Sequence, residues 1–153
     1  NISSAQGEPL PPLGAAFQEA FNSIATEAPI EDWFTSAQDS GTSYLADLGG
    51  GILVILSEDK GQQGLRYATC QLDWEERDAN NNAFGETILA TLYAACPDLD
   101  NAQMGEVLEG LKLLDGQTDV WLGTDHKEFF ELEGYYFSME IDADTWSLMI
   151  FAV

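Results

Sequence analysis

Apolar residues recur at helical spacing from Leu13 through Phe17, Ala20, Phe21, Ile24 and Ala28, and the pattern stops at Pro29. Steps of three and four place them on one stripe, which predicts an amphipathic helix. Residues 30–41, with Trp33 and Phe34 followed by small polar residues, read as a short turn of helix and then a loop. A strand meander is predicted next, over 42–48, 51–58 and 65–74, punctuated by Gly49-Gly50 and by the turn-forming run at 59–64. Its middle strand holds an unbroken Ile52-Leu53-Val54-Ile55-Leu56, which lacks the alternation of a half-wet strand. Both faces of that strand are therefore expected to be covered.

An acidic, Asn-rich loop from Asp73 to Asn82 leads to a second helix with Phe84, Ile88, Leu92 and Ala95 on one stripe. Asp100 with Gln103 has the spacing of a capping box and opens a third helix, with Met104, Val107, Leu108 and Leu111 inward and closure at Asp115-Gly116. From Lys127 to Ile141 the apolar parity slips: Phe130 and Leu132 are even, whereas Tyr135, Phe137, Met139 and Ile141 are odd. A hairpin turning at Glu133-Gly134 explains the slip, because glycine tolerates positive φ. Asp142-Ala143-Asp144 then turns the chain into a last strand from Thr145 to Val153. The order α-βββ-αα-βββ, with room for one further strand in the second half, predicts an α+β fold. Its antiparallel sheet would have about six strands, with helices packed mainly on one face. Residues 1–12 read as a flexible Pro-rich leader and 13–153 as a single domain.

Charge changes this picture most. Asp and Glu number 27 against 5 Lys and Arg, a net charge of −22, yet charged residues are only 21% of the chain. The imbalance comes from missing bases rather than crowded acids, and 38 Leu, Ile, Val and Phe residues are enough for a core. Five scattered bases cannot neutralise a run of phosphates, so a basic groove for nucleic acid is excluded. The longest apolar run, Ile52 to Leu56, falls far short of the ~20 residues of a membrane-spanning helix. The opening at Asn1 and the scarcity of lysine lead us to expect an extracytoplasmic protein, periplasmic or secreted, whose upstream segment has been removed.

In that setting the two cysteines acquire a role. Cys70 shares strand parity with Ala68, Leu72 and Trp74, and Cys96 ends a helical run beside Leu92 and Tyr93, so both thiols point toward the core. A Cys70–Cys96 disulfide tying helix to sheet is expected, the alternative being two buried free thiols.

The acids invite a test for calcium. Asp78, Asn80 and Asn82 match the first three ligand positions of an EF-hand, but Ala83 and Leu89 stand where the loop needs Gly and Glu. A looser calcium site would be formed by Asp73, Glu75, Glu76 and Asp78; apart from it no cofactor is expected. His126 is the only histidine, sits between Asp125 and Lys127, and reads as an exposed turn residue without a zinc or nucleophile context. Gly49-Gly50-Gly51 lies between strands and lacks the Lys and Ser/Thr of a phosphate loop. Surface chemistry remains. If the helices cover the face bearing Cys70, the opposite face carries Tyr67, Thr69 and Gln71, joined by Tyr136 and Ser138 and by Met149 and Phe151. Tyr67, Tyr136, Met149 and Phe151 are the candidate binding residues. The expected function is a non-enzymatic acidic interaction module, which binds a basic protein or self-associates through this open sheet face. The alternative is a carboxylate-based or cation-assisted extracytoplasmic hydrolase.

Overall fold

The computed structural model describes residues 12–26, 29–39, 41–59, 67–73, 77–114, 116, 120–121 and 125–152. All of the leader except Pro12 lies outside them. Helix α1 (Pro12–Asn22) is followed by strands β1 (Phe34–Gln38), β2 (Gly41–Gly49), β3 (Ile52–Asp59) and β4 (Tyr67–Asp73). Helices α2 (Arg77–Ala95) and α3 (Asn101–Gly110) come next, and strands β5 (His126–Leu132), β6 (Tyr135–Ile141) and β7 (Thr145–Ala152) complete the chain. The fold is α+β, with seven strands in one antiparallel sheet of order β1-β2-β3-β4-β7-β6-β5. No helix among the described residues is long and apolar enough to cross a membrane.

The extra strand is β1, where the sequence pattern predicts a helical turn and a loop. Its register, Phe34 opposite Leu45 and Ser36 opposite Ser43, shows that pairing with β2 overrides the weak local signal of FTSAQ. Helix α1 ends at Asn22, six residues before the expected stop. The Asn22 amide both donates to the Ile30 carbonyl (2.8 Å) and accepts from the Ile30 N–H (2.7 Å), which draws the chain away from the helix axis. Helix α2 starts at Arg77, so most of the expected acidic loop is helical.

Helix α3 opens on the expected capping box, with Asp100 Oδ1 accepting from the Gln103 N–H (2.8 Å) and Gln103 Oε1 from the Asp100 N–H (3.0 Å). It ends before Asp115-Gly116, because Leu113 N–H donates to Leu108 O and Lys112 N–H to Glu109 O, with Lys112 at φ 59°. This is a Schellman closure with lysine in the left-handed position where glycine is usual. Between β5 and β6 the turn falls at Glu133-Gly134, both at positive φ (50° and 85°), so the parity slip is a hairpin.

All three helices pack on one face of the sheet. Phe21 of α1 stacks on Phe17, which meets Trp33 edge-to-face, and Trp33 meets Tyr44 in the same way, while Phe84 of α2 meets Trp146, which stacks on Trp121. Beneath them the inward residues of the central strands, Val54, Leu56, Ala68, Cys70, Leu72, Leu148 and Ile150, are fully buried. The unbroken apolar run of β3 nevertheless alternates: Ile52, Val54 and Leu56 are buried, whereas Leu53 and Ile55 are only half-buried on the opposite face. Among the described residues the helices cover only one face of this strand, so the expected cover of its other face is not found there.

The expected disulfide is not seen in this structure. Cys70 and Cys96 are buried free thiols. Cys70 lies mid-strand against Thr91 of α2, while Cys96 lies just beyond the end of α2.

Candidate functional site

The face of the sheet that no described residue covers, the open face, is built from three adjacent rows of laterally paired side chains. The central row crosses all seven strands as Phe34, Leu45, Ile55, Thr69, Met149, Ser138 and Phe129. It contains no charged residue, and its two ends, Phe34 and Phe129, are 65% and 54% exposed. A second row runs from Ser36, Ser43 and Ser57 into Tyr67, Phe151, Tyr136 and Glu131. The third holds Asp47, Leu53, Gln71, Ser147, Glu140 and Lys127. At about 4.8 Å per strand and 6.8 Å per row, the face measures roughly 29 Å by 20 Å when the last pair, Asp73 and Thr145, is included.

The four candidate residues from the sequence come together here. Tyr67 and Phe151 have ring centroids 5.9 Å apart, Phe151 and Tyr136 6.2 Å, and Tyr136 continues to Phe129 at 6.0 Å. Met149 lies beside Phe151 on β7 in the central row. Alternation puts these residues on one face, and the antiparallel register aligns them, so neighbours in the ladder are 7 to 84 residues apart in sequence. Thr69 closes the centre, with its hydroxyl donating to the Leu148 carbonyl at 2.7 Å. Sequence reading missed Phe34, Leu45, Leu53, Ile55 and Phe129. The signals were the unbroken β3 run and the Phe129-Phe130 pair, which in any strand must send one ring to each face.

Two concavities mark the face. A hollow of about 310 Å³ over β1 to β3 is lined by Phe34, Ser36, Ser43, Leu45 and Ile55 among others. A larger open basin of about 790 Å³ lies where the β2–β3 and β6–β7 turns meet, lined by Gly49, Gly50 and Gly51 with the carboxylates of Asp47, Asp73 and Asp144. Asp47 Oδ1 accepts from the Gly49 N–H (2.9 Å), and all three glycines take the positive φ this turn requires (81°, 62° and 81°). The neighbouring turn is held by Asp142, whose carboxylate accepts from the Asp144 and Thr145 N–H groups. Those two bonds hold its pKa below the usual carboxylate value. At the far end, Lys127 Nζ reaches Glu140 Oε2 (3.3 Å) and sits 5.7 Å from the Phe129 ring centroid.

The remaining expectations fall elsewhere. Of the calcium candidates, Asp73 ends β4 at the rim of the open face and Asp78 lies in the first turn of α2, while Glu75 and Glu76 lie outside the described residues. No group of three metal-ligating side chains occurs among the described residues. His126 is not an exposed turn residue but opens β5 on the helix side, edge-on to Trp121 at 4.9 Å, with Nε2 bonded to Glu128 Oε2 at 2.5 Å. Burial pushes both thiols up to about 12, which leaves Cys70 and Cys96 as core residues rather than nucleophiles. Tyr44 rises to about 12 through burial and the charge of Glu58, to which its hydroxyl donates (3.2 Å), again on the helix side.

No protein-family model, no curated protein and no solved structure matches this chain.

Proposed function

We propose that this protein is an acidic interaction module that works by docking a protein on its uncovered sheet face. The observation that carries the reading is one-sided coverage among the described residues: the three described helices lie on one face, and the other presents a continuous apolar and aromatic band with carboxylates at its margin. Monomeric proteins rarely leave an apolar patch beyond a few hundred Å² open to solvent, and patches with polar rims mark interaction sites. The footprint of roughly 600 Å², multiplied by side-chain relief, approaches the ~800 Å² per partner of a standard interface. The aromatic ladder supplies anchors that desolvate well, and the acids supply long-range attraction and selectivity. We place this activity outside the cytoplasm, in keeping with the acid excess.

The test is affinity capture from the native source with wild-type protein and with a Phe34→Ser/Phe129→Ser double variant. Both rings are exposed, so their removal leaves the core intact. The reading expects a protein retained by the wild type and lost with the variant. Identical recoveries would contradict it.

A further inference from the structure

The three rows of the open face are not equivalent, and their order points to the chemistry of what lies on them. The apolar and aromatic rows are adjacent; four carboxylates line one long side, Asp47 and Glu140 in the third row and Asp73 and Asp144 around the basin, against Glu131 at the end of the aromatic row and Asp59 beyond it. Among the described residues of the face, Lys127 is the single base, and Glu140 already engages it. An occupant must therefore present apolar side chains to the Phe34-to-Phe129 and Tyr67-to-Tyr136 rows and positive charge about 7–14 Å to one side. A second copy fits poorly, because each carries −22 and face-to-face packing would bring two like-charged bodies to within a sheet spacing of ~10 Å.

We propose, building on the docking-face reading, that the occupant is a cationic amphipathic segment of another protein. Its aliphatic or aromatic residues fill the hollow between Phe34 and Ile55 and cover the Tyr67–Phe151–Tyr136 ladder. Its lysine or arginine side chains extend toward Asp47, Asp73 and Asp144. Arginine suits the basin best, since its planar fork pairs with carboxylates in two-point contacts. Like-charge repulsion also acts as selection: an acidic or neutral apolar segment meets the same band without the attraction.

The proposal is tested with three synthetic peptides: alternating lysine and leucine, all lysine at equal charge, and alternating glutamate and leucine. Binding is measured by fluorescence anisotropy at low and moderate NaCl, on the full chain and on Phe34→Ser/Phe129→Ser and Asp47→Asn/Asp144→Asn variants of unchanged melting temperature. The lysine–leucine peptide is expected to bind about tenfold tighter than all-lysine. The phenylalanine variant should erase that difference, and the aspartate variant should weaken binding and flatten its salt dependence. If glutamate–leucine binds as well as lysine–leucine and both are lost with the phenylalanine variant, the cationic occupant is overturned while the docking face stands. A concentration-dependent dimer that the phenylalanine variant dissociates would likewise overturn it, in favour of a second copy. If the phenylalanine variant changes no binding, both proposals fail.

Discussion

Two isoleucines on one strand measure the asymmetry of the sheet directly. Ile52 and Ile55 both belong to β3, but Ile52 faces the helices at 1% exposure while Ile55 is half-buried on the open face between Leu45 and Thr69. Replacing each by alanine removes the same atoms and the same strand preference, so the difference reports what covers the side chain. Ile52→Ala leaves a cavity beneath the helices and should cost about 3 kcal/mol. Ile55→Ala exposes a site that water fills, so it should cost about 1 kcal/mol, mostly from lost cross-strand contact. For a domain of this size each kcal/mol moves the melting temperature by roughly 2–4 °C, which predicts losses of about 6–12 °C for Ile52→Ala and about 2–4 °C for Ile55→Ala. Thermal unfolding at low micromolar concentration, repeated at tenfold higher concentration, is the assay. Equal losses at both concentrations would mean that the open face is covered within the single chain, and the reasoning would fail.

Three other outcomes follow from the packing. Gly105 has open space where a Cβ would project, whereas a Cβ on Gly110 would clash with the Phe130 ring; Gly105→Ala should raise stability by about 0.5–1 kcal/mol, while Gly110→Ala should lower it, as urea unfolding would show. Mass measurement after alkylation should find both cysteines unmodified in the native protein and both alkylated after unfolding without reductant; a product alkylated only after reduction would restore the disulfide. With a charge of −22, the melting temperature should rise between low and moderate NaCl as the Debye length falls to ~8 Å, and a flat response would mean that the carboxylates are already neutralised.

How much of this was legible in sequence depended on whether a signal was local. The capping box at Asp100 and the parity slip at Glu133-Gly134 are short-range chemistry, and both appear where the residues place them. The strand at Phe34–Gln38 was not legible, because FTSAQ has no alternation strong enough to announce it and β2 supplies its reason to be extended. The end of α3 was misplaced for a related reason: a left-handed lysine closes the helix, and lysine gives no such signal in sequence. For the open face, alternation in β4, β6 and β7 sufficed to select Tyr67, Tyr136, Met149 and Phe151. The ladder's continuity and its extension to Phe34 and Phe129 depend on strand order, which sequence periodicity does not carry. The two cysteines are buried free thiols in the structure, and a shared inward direction, which is all the periodicity carries, does not by itself specify a bond.

The central claim, that the uncovered sheet face is where this protein meets its partner, is tested most directly by hydroxyl-radical footprinting of the purified chain and of the chain in native extract. Met149 and the open-face aromatics Phe34, Phe129, Tyr136 and Phe151 should be modified in the purified protein and protected in the extract. Tyr93 and Leu89, exposed on α2, should be modified equally in both. Protection of Tyr93 and Leu89 with the open face still reactive would contradict the claim and move the binding site to the helical side.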